Sequence, residues 1–315
     1  MRLEQASADS SDFFAAYHTY DDVNTWLDNM AALYPSLITQ FVLGNSTQGR
    51  TIQGVVITGN KTGIELASNT KKPGIFYNGG QHAREWITVS TVCYILNQLA
   101  TGYGVDPHVT QMMDNVEFTL IPIVNVDGYV YTWTTDRMWR KTRSPTSNPA
   151  CIGVDPNRNW DDHWCTVGAT PDPCDDEYCG PSAFSEPEVK ALANYIVSQG
   201  NIMGYIDFHS YSQLFMSPWG WTTDLPKDYA AQTDFGKKAV AAIQGVNGQQ
   251  YGEGPIATTI YPASGSSADY TYSHGNIILS YGVELRDTGN YGFVLPPDQI
   301  KPQGAEIFAM VQVMA

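Results

Sequence analysis

Positive charge is scarce in this chain. Lys and Arg make up 17 of 315 residues against 32 Asp and Glu, giving a formal net charge of -15 and a sequence pI near 4.6. At long range such a chain is repelled by phosphate backbones and anionic headgroups, so neither nucleic acid nor a membrane surface is an expected partner. Long apolar runs are also missing: none approaches the ~20 residues of a membrane span. The opening "MRLEQASADSSDFF" has no basic segment followed by an apolar one. No signal peptide is therefore expected in this sequence, as for a chain that begins after processing. Repeats, low-complexity tracts and linkers are absent, which predicts a single domain over residues 1–315, with 1–15 as an N-terminal extension. With 43% apolar, 12% aromatic and only 16% charged residues, the composition excludes disorder, and the length suffices to bury a substantial core.

The C-x2-C pairs of structural zinc sites are missing too. Of five cysteines, Cys151, Cys165, Cys174 and Cys179 fall in one loop-like, Pro/Asp-rich stretch. Their irregular spacing favours two disulfides over a metal site and leaves the pairing open. Cys93, inside the apolar pattern "TVSTVCYILNQL", reads as a buried free thiol. The sequons Asn45-Ser46-Thr47 and Asn60-Lys61-Thr62 agree with the disulfides in predicting a secreted, extracellular protein.

Helical and strand periods alternate along the chain. Residues 21–34 predict an amphipathic helix stopped by Pro35, and "LITQFVLG" and "IQGVVITG" predict strands. "GIFYNGG" predicts a strand leading into a helix over about 85–100. "VEFTLIPIVN" and "IMGYIDFHS" read as strands buried on both faces, with a long irregular segment, about 128–180, between them. Ser185 and Glu188 have capping-box spacing for a helix ended by Gly200. A helix near 228–244, the strand "IILSYGVELR" and a C-terminal helix complete the pattern. The expected fold is α/β: a mixed, mostly parallel twisted β-sheet sandwiched between helices. Ligands of such sheets gather at the carboxyl ends of strands. His82 follows one predicted strand, His209 ends another and Glu284 lies near the end of a third.

A catalytic zinc takes three protein ligands and leaves a position open. His82 and Glu85 in "GGQHAREWITVS" can reach one ion, and His209 in "IDFHSYS" could add the third ligand. Read alone, H-x-x-E is more often a solvated helix start, and a lone histidine after a strand is more often a satisfied core residue. Their company changes that balance. Glu284 is a carboxylate in an apolar strand, sharing a face with Gly282, although pairing with Arg286 is its plainer role. Four of the eight arginines, Arg137, Arg140, Arg143 and Arg158, are concentrated in "DRMWRKTRS" and "DPNRNW". In an acidic chain this means ordinary ion pairing or an anion site, and Asn157 beside Arg158 looks like an anchor for a carboxylate. Asp155 could orient a zinc-bound histidine or simply cap a turn.

Together these residues resemble the zinc carboxypeptidases of the A/B type. The matching segments are "YHTYDDVNTWL", "GQHAREWIT", "RMWRKTRS", "GVDPNRNW", "CGPSAFSEPE", "DFHSYSQL", "TIYPASGSSADY" and "VELRDTGNYGFVLPP", which span nearly the whole chain. The resemblance implies a zinc-dependent exopeptidase with one zinc ion held by His82, Glu85 and His209, the His2Glu ligand set for which carboxypeptidase A is the type example. It implies that Glu284 is the general base for a zinc-activated water and that Arg140 stabilises the oxyanion. Arg84 lies close by, Asn157, Arg158 and Tyr261 bind the substrate's terminal carboxylate, and Tyr211 lines the upstream subsite. B-type enzymes carry an acid at the pocket floor, where this chain offers Ser266, Ser267 and Ala268. Asp269 aligns with an acid of both types. Gly282 enlarges the pocket, and Met216 and Ile256 are its expected apolar walls, so bulky aliphatic and aromatic C-terminal residues are the expected preference.

By position, Cys151 and Cys174 resemble the family's loop disulfide, leaving Cys165 and Cys179 as an extra pair. Peptide or protein C-termini are the expected substrates of a monomeric, mature catalytic domain, with a pro-segment or protein inhibitor as candidate partner. A zinc amidohydrolase of N-acyl amino acids is the rival within hydrolases, and a catalytically inactive binding module the rival of another class. The latter requires a missing ligand or base, and none is missing.

Overall fold

The computed structural model describes residues 13–59 and 71–315. The Asn60 sequon and residues 1–12 of the expected extension lie outside the described residues. Packing begins inside that extension, because Phe14 is in the core, edge-on to Trp26 and Tyr94.

Helix α1 (Tyr20–Leu33) starts at a reciprocal Thr19/Asp22 capping box and buries Val23, Trp26, Leu27 and Met30, one stripe of a 3.6-residue period. Eight strands follow: β1 (Ile38–Asn45), β2 (Thr51–Ile57), β3 (Gly74–Asn78), β4 (Glu117–Ile121), β5 (Ile202–Ser210), β6 (Leu214–Ser217), β7 (Gly252–Pro255) and β8 (Leu279–Leu285). They form one mixed sheet in the order β1-β2-β4-β3-β5-β8-β6-β7. Its centre, β4-β3-β5-β8, is parallel, while β1-β2, β2-β4 and β6-β8 are antiparallel. Every residue of β3 is buried, as are Gly204–Ser210 of β5, because helices cover both faces.

The covering helices are α2 (Trp86–Gly102), α3 (Pro107–Asn115), α4 (Val126–Thr134), α5 (Pro187–Gln199), α6 (Tyr229–Asn247), the short α7 (Ile256–Thr259) and α8 (Ser267–Ser273), and α9 (Ile300–Met314). Side chains of β5 alternate between the two layers. Gly204 abuts Met314 of α9, and Tyr77, next to Phe208, also reaches Met314. On the other face Tyr205 lies beside Phe76, which packs on Tyr195 of α5, and Asp207 meets Ser267 of α8. His209 shares this second face.

Three expectations change. The segment 128–180 is not irregular throughout, since its start belongs to α4, capped by Asn125 Oδ1 accepting from Gly128 N at 3.0 Å. The remainder is bound by disulfides Cys151–Cys174 and Cys165–Cys179. Ser185 does not cap α5. Pro187 occupies its first turn, so Glu186 becomes the N-cap residue; Ser185 turns to Glu186, while Glu188 accepts from Thr47 N at 2.9 Å. Gly200 does end that helix, at φ +69. Finally, Arg286 pairs with Glu306 of α9 and leaves Glu284 alone. Cys93 is free and buried. No helix among the described residues is long and apolar enough to cross a membrane.

Candidate active site

The carboxyl ends of β3, β5 and β8 bring the candidate residues together. His209 pairs with Glu284 across β5 and β8, and Asp207 with Gly282. After β3 the chain turns sharply through Gly79 and Gly80. Gly80 has φ +61, and a Cβ at Gly79 would stand 2.8 Å from Thr88 O, so this close approach to α2 requires glycine. The turn delivers His82 and ends at Glu85, the N-cap residue of α2. Ala83 N donates to Arg140 O at 3.0 Å, which ties the turn to the arginine segment.

His82, Glu85 and His209 are all buried, and their ligand atoms lie within 4.8 Å of one another. His82 Nδ1 is 2.9 Å from Glu85 Oε1 and 3.1 Å from His209 Nδ1, which is itself 3.2 Å from Glu85 Oε2. The opposite nitrogens face carboxylates: His82 Nε2 is 3.0 Å from Asp155 Oδ1, and His209 Nε2 is 2.9 Å from Asp207 Oδ2. A carboxylate requires a donor there, so each ring carries its proton on Nε2 and turns its Nδ1 lone pair inward. Two lone pairs and a carboxylate converging at this distance repel one another unless a cation sits among them. The donor set of two imidazoles and one carboxylate suits zinc, with no fourth protein ligand among the described residues to close the site.

The electrostatics express the same demand for positive charge. Burial disfavours the Glu85 carboxylate; charge and donated protons from His82 and His209 would outweigh it and hold the carboxyl below the ordinary range, a part that a cation among the three takes over. Burial likewise opposes the charge on Arg140, yet Asp155 and Glu85 raise its pKa above the usual arginine value. Arg140 donates from Nε and Nη2 to Asp155 Oδ2 at 3.1 and 2.8 Å, and its Nη1 lies 3.3 Å from His82 Nδ1. Glu284 behaves oppositely. Burial, reinforced by the negative charge of Glu85, pushes it up to about 8, and its Oε2 has no hydrogen-bond partner among the described residues.

A cavity opens beside Glu284 and His209. Arg158 and Asn157 line its polar side. Arg158 is buried, its Nε and Nη1 donating to Gly168 O and Asn157 O at 2.5 and 3.0 Å. Its Nη2 has no hydrogen-bond partner among the described residues and is 3.8 Å from Glu177. Asn157 Oδ1 accepts from Ser267 N at 2.9 Å. Tyr261, 44% exposed, stands at the rim with its ring centroid 5.9 Å from the Arg158 guanidinium. Met216, Ile256 and Ala268 form the opposite wall, an apolar cluster separate from the main core, extended by Leu214 and Ile260. At Gly282 a Cβ would meet nothing within 4 Å.

Arg84 and Tyr211 do not line this cavity. Arg84 lies in a second cavity, shared with Arg140, Met138 and Trp139, and stacks on Phe293 at 4.2 Å. Tyr211 meets Phe293 edge-on at 5.0 Å. Nor do all four clustered arginines form an anion site. Arg137 stacks on Trp86 at 3.7 Å and donates to Arg84 O and Phe293 O, and Arg143 stacks on Tyr131 and Trp139. Sequence reasoning missed Asp207, the carboxylate partner of His209. Its signal was the period-2 spacing in "IDFHS", which puts residues 207 and 209 on one strand face.

Residues 23–310 match the family model described as zinc carboxypeptidase. The chain belongs to this family. This zinc carboxypeptidase is 45% identical over 304 residues to carboxypeptidase B of Astacus astacus, covering 96% of this chain and 97% of that protein. It is 41% identical over 293 residues to carboxypeptidase A2 of Rattus norvegicus, covering 93% and 68%. Among solved structures it superposes with a TM-score of 0.88, at 33% identity and covering 96% and 97%, on bovine thrombin-activatable fibrinolysis inhibitor in complex with tick carboxypeptidase inhibitor. The carboxypeptidase uses one catalytic zinc ion. Relatives named A and B stand at similar identity, so the names do not decide which C-terminal residue the pocket accepts.

Proposed function

We propose that this carboxypeptidase removes bulky aliphatic and aromatic residues from peptide and protein C-termini, with Glu284 as general base. The observation that carries the reading is one cavity lined by two buried groups without hydrogen-bond partners among the described residues: a guanidinium nitrogen of Arg158, suited to a carboxylate, and a carboxylate oxygen of Glu284, suited to a proton. His82 and His209 would hold the zinc ion through Nδ1 and Glu85 through its carboxylate. When bound, that ion supplies Lewis-acid polarisation and lowers the pKa of water toward ~7.

The remaining steps belong to the chain's own residues. Arg158, with Asn157 and Tyr261, binds the terminal carboxylate and so fixes the last peptide bond beside Glu284, which makes the enzyme an exopeptidase. Glu284 takes a proton from the attacking water and returns it to the leaving amine. Arg140, held by Asp155, donates to the oxyanion as it develops. Asp155 also keeps the proton of His82 on Nε2. Arg84 and Tyr211 contact residues upstream of the scissile bond.

Specificity comes from the wall opposite Arg158. Met216, Ile256 and Ala268 are apolar, Gly282 leaves room beside them, and among the described residues the only acid lining the cavity is Glu284 at its reacting end. A lysine or arginine side chain would be desolvated there without a partner. The two disulfides support an extracellular location, and similarity to the inhibitor-bound bovine relative supports a protein inhibitor as a partner. The test is a panel of blocked peptides differing only in their last residue, assayed with and without a chelator. Phe and Leu should be released faster than Lys and Arg; the reverse order overturns the pocket reading, and activity that survives complete metal removal overturns the site.

A further inference from the structure

Asp207 lies two residues before His209 on β5, fully buried, with Asn78 of β3 and Gly282 of β8 as its cross-strand neighbours. Four groups surround its carboxylate. Asn78 Nδ2 donates to Oδ1 at 2.6 Å. Oδ2 accepts from Gln81 Nε2 and from Ser267 Oγ at 2.5 Å, and faces His209 Nε2 at 2.9 Å. The orientation of Gln81 is fixed independently, because its Oε1 accepts from Trp160 Nε1 at 3.0 Å and its amide nitrogen must therefore point at Asp207. Two amides and a hydroxyl all donating to one carboxylate fix its direction. The carboxylate at 2.9 Å favours the proton on Nε2 of His209 over the Asn157 Nδ2 donor, which stands 3.3 Å from the same nitrogen.

The same carboxylate reaches the substrate pocket. Ser267, which donates to Asp207, lines the cavity next to Ala268, and its backbone N–H donates to Asn157 Oδ1. A run of contacts thus leads from His209 through Asp207 and Ser267 to Asn157, whose Nδ2 closes the ring 3.3 Å from His209 Nε2.

We infer that Asp207 is a positioning residue which keeps Nδ1 of His209 free and aimed at the metal, and which ties that ligand through Ser267 to the wall that receives the substrate. The inference rests on the reading of His82, Glu85 and His209 as the zinc ligands. Outer partners of this kind change metal affinity by roughly 10–100-fold when removed. Asp207 contributes nothing to the reacting atoms directly.

The test is zinc transfer to a competing chelator from the full chain, measured for wild type, Asp207→Asn, Ser267→Ala and His209→Ala. Asp207→Asn should weaken zinc binding about 10–100-fold, leave the melting temperature of the metal-free protein within a few degrees of wild type, and shift the visible spectrum of the cobalt-substituted protein. Ser267→Ala, which removes one of four contacts and touches no ligand, should weaken zinc binding about 2–5-fold, within the ~0.5–1 kcal/mol net worth of a hydrogen bond. Loss of zinc from His209→Ala alone, with both other variants retaining wild-type affinity, overturns this inference and leaves the ligand reading standing. Retention of zinc by His209→Ala overturns the ligand reading itself. If Asp207→Asn does not fold, Ser267→Ala decides: unchanged affinity in the folded variant overturns the coupling.

Discussion

The two ends of the cleft are built in opposite ways. Around His82, Glu85 and His209 every inward atom is buried, close to others of its kind and held from behind by Asp155 or Asp207. The pocket beyond Glu284 is defined by what is missing: no side chain at Gly282, only a methyl group at Ala268, and no hydrogen-bond partner among the described residues for Nη2 of Arg158. The first region is over-determined and the second under-filled. Substitutions in the first should change whether the enzyme works, and substitutions in the second should change what it works on.

The largest expected effect tests the crowded end. Glu284→Gln keeps the shape and removes the proton acceptor, so kcat should fall at least ~10²–10⁴-fold, the usual worth of a positioned acid or base. Zinc and peptide binding, followed calorimetrically, should persist. The pH profile sharpens the assignment. A base works only when ionised, so the wild-type rate should rise with pH through the Glu284 pKa. Burial and Glu85 push that value up to about 8, and the charge of a bound dication draws it back toward acid. The acidic limb should therefore lie between the ordinary carboxylate range and about 8, and should vanish in Glu284→Gln. A wild-type rate in that variant, or a limb it retains, would remove Glu284 from the role.

Next in size is Arg158→Gln, at the join of the two regions. Losing one partner of a buried, charge-assisted pair costs about 2–5 kcal/mol, or roughly 30–4,000-fold in kcat/KM. Amidating the substrate's C-terminus should cost the wild type a comparable factor and the variant little more. Additive losses would break the clamp. The smallest effect belongs to the open end: Gly282→Thr should slow release of C-terminal Phe or Trp by about 10–200-fold relative to Ala, the discrimination available from one or two carbons in an apolar pocket. An equal loss for every substrate would mean that Gly282 serves the strand and not the pocket.

The same contrast explains what the sequence revealed. His82, Glu85 and His209 are weak candidates by residue type and spacing alone and become a ligand set only through the family resemblance, whereas the buried runs "GIFYN" and "IMGYIDFHS" are legible because β3 and β5 are covered on both faces. Short β6 and β7 have no period long enough to detect, and α3, opened by Asp106 and Pro107, was hidden in a polar stretch. The arginine cluster misled in part, since charge density in a sequence does not reveal which guanidinium stacks on a ring and which faces the cleft. Asp207 was missed although its period-2 spacing puts it on the face of His209, because its partners Asn78, Gln81 and Ser267 come from elsewhere in the chain.

The Cys165–Cys179 disulfide lies beside a short segment whose backbone does work at the pocket. Gly168 O holds Arg158 Nε, Val167 O accepts from Ser264 N, and both glycine and valine lie within three residues of the linked Cys165. A Cβ at Gly168 would collide with Pro262 O, so this segment also packs against the approach to Tyr261. On the role proposed for Arg158, grip on the substrate's carboxylate is thereby linked to thiol oxidation. Mild reduction that spares the fold should raise KM before it lowers kcat, so the enzyme would lose its hold on chain ends while its chemical machinery stayed intact.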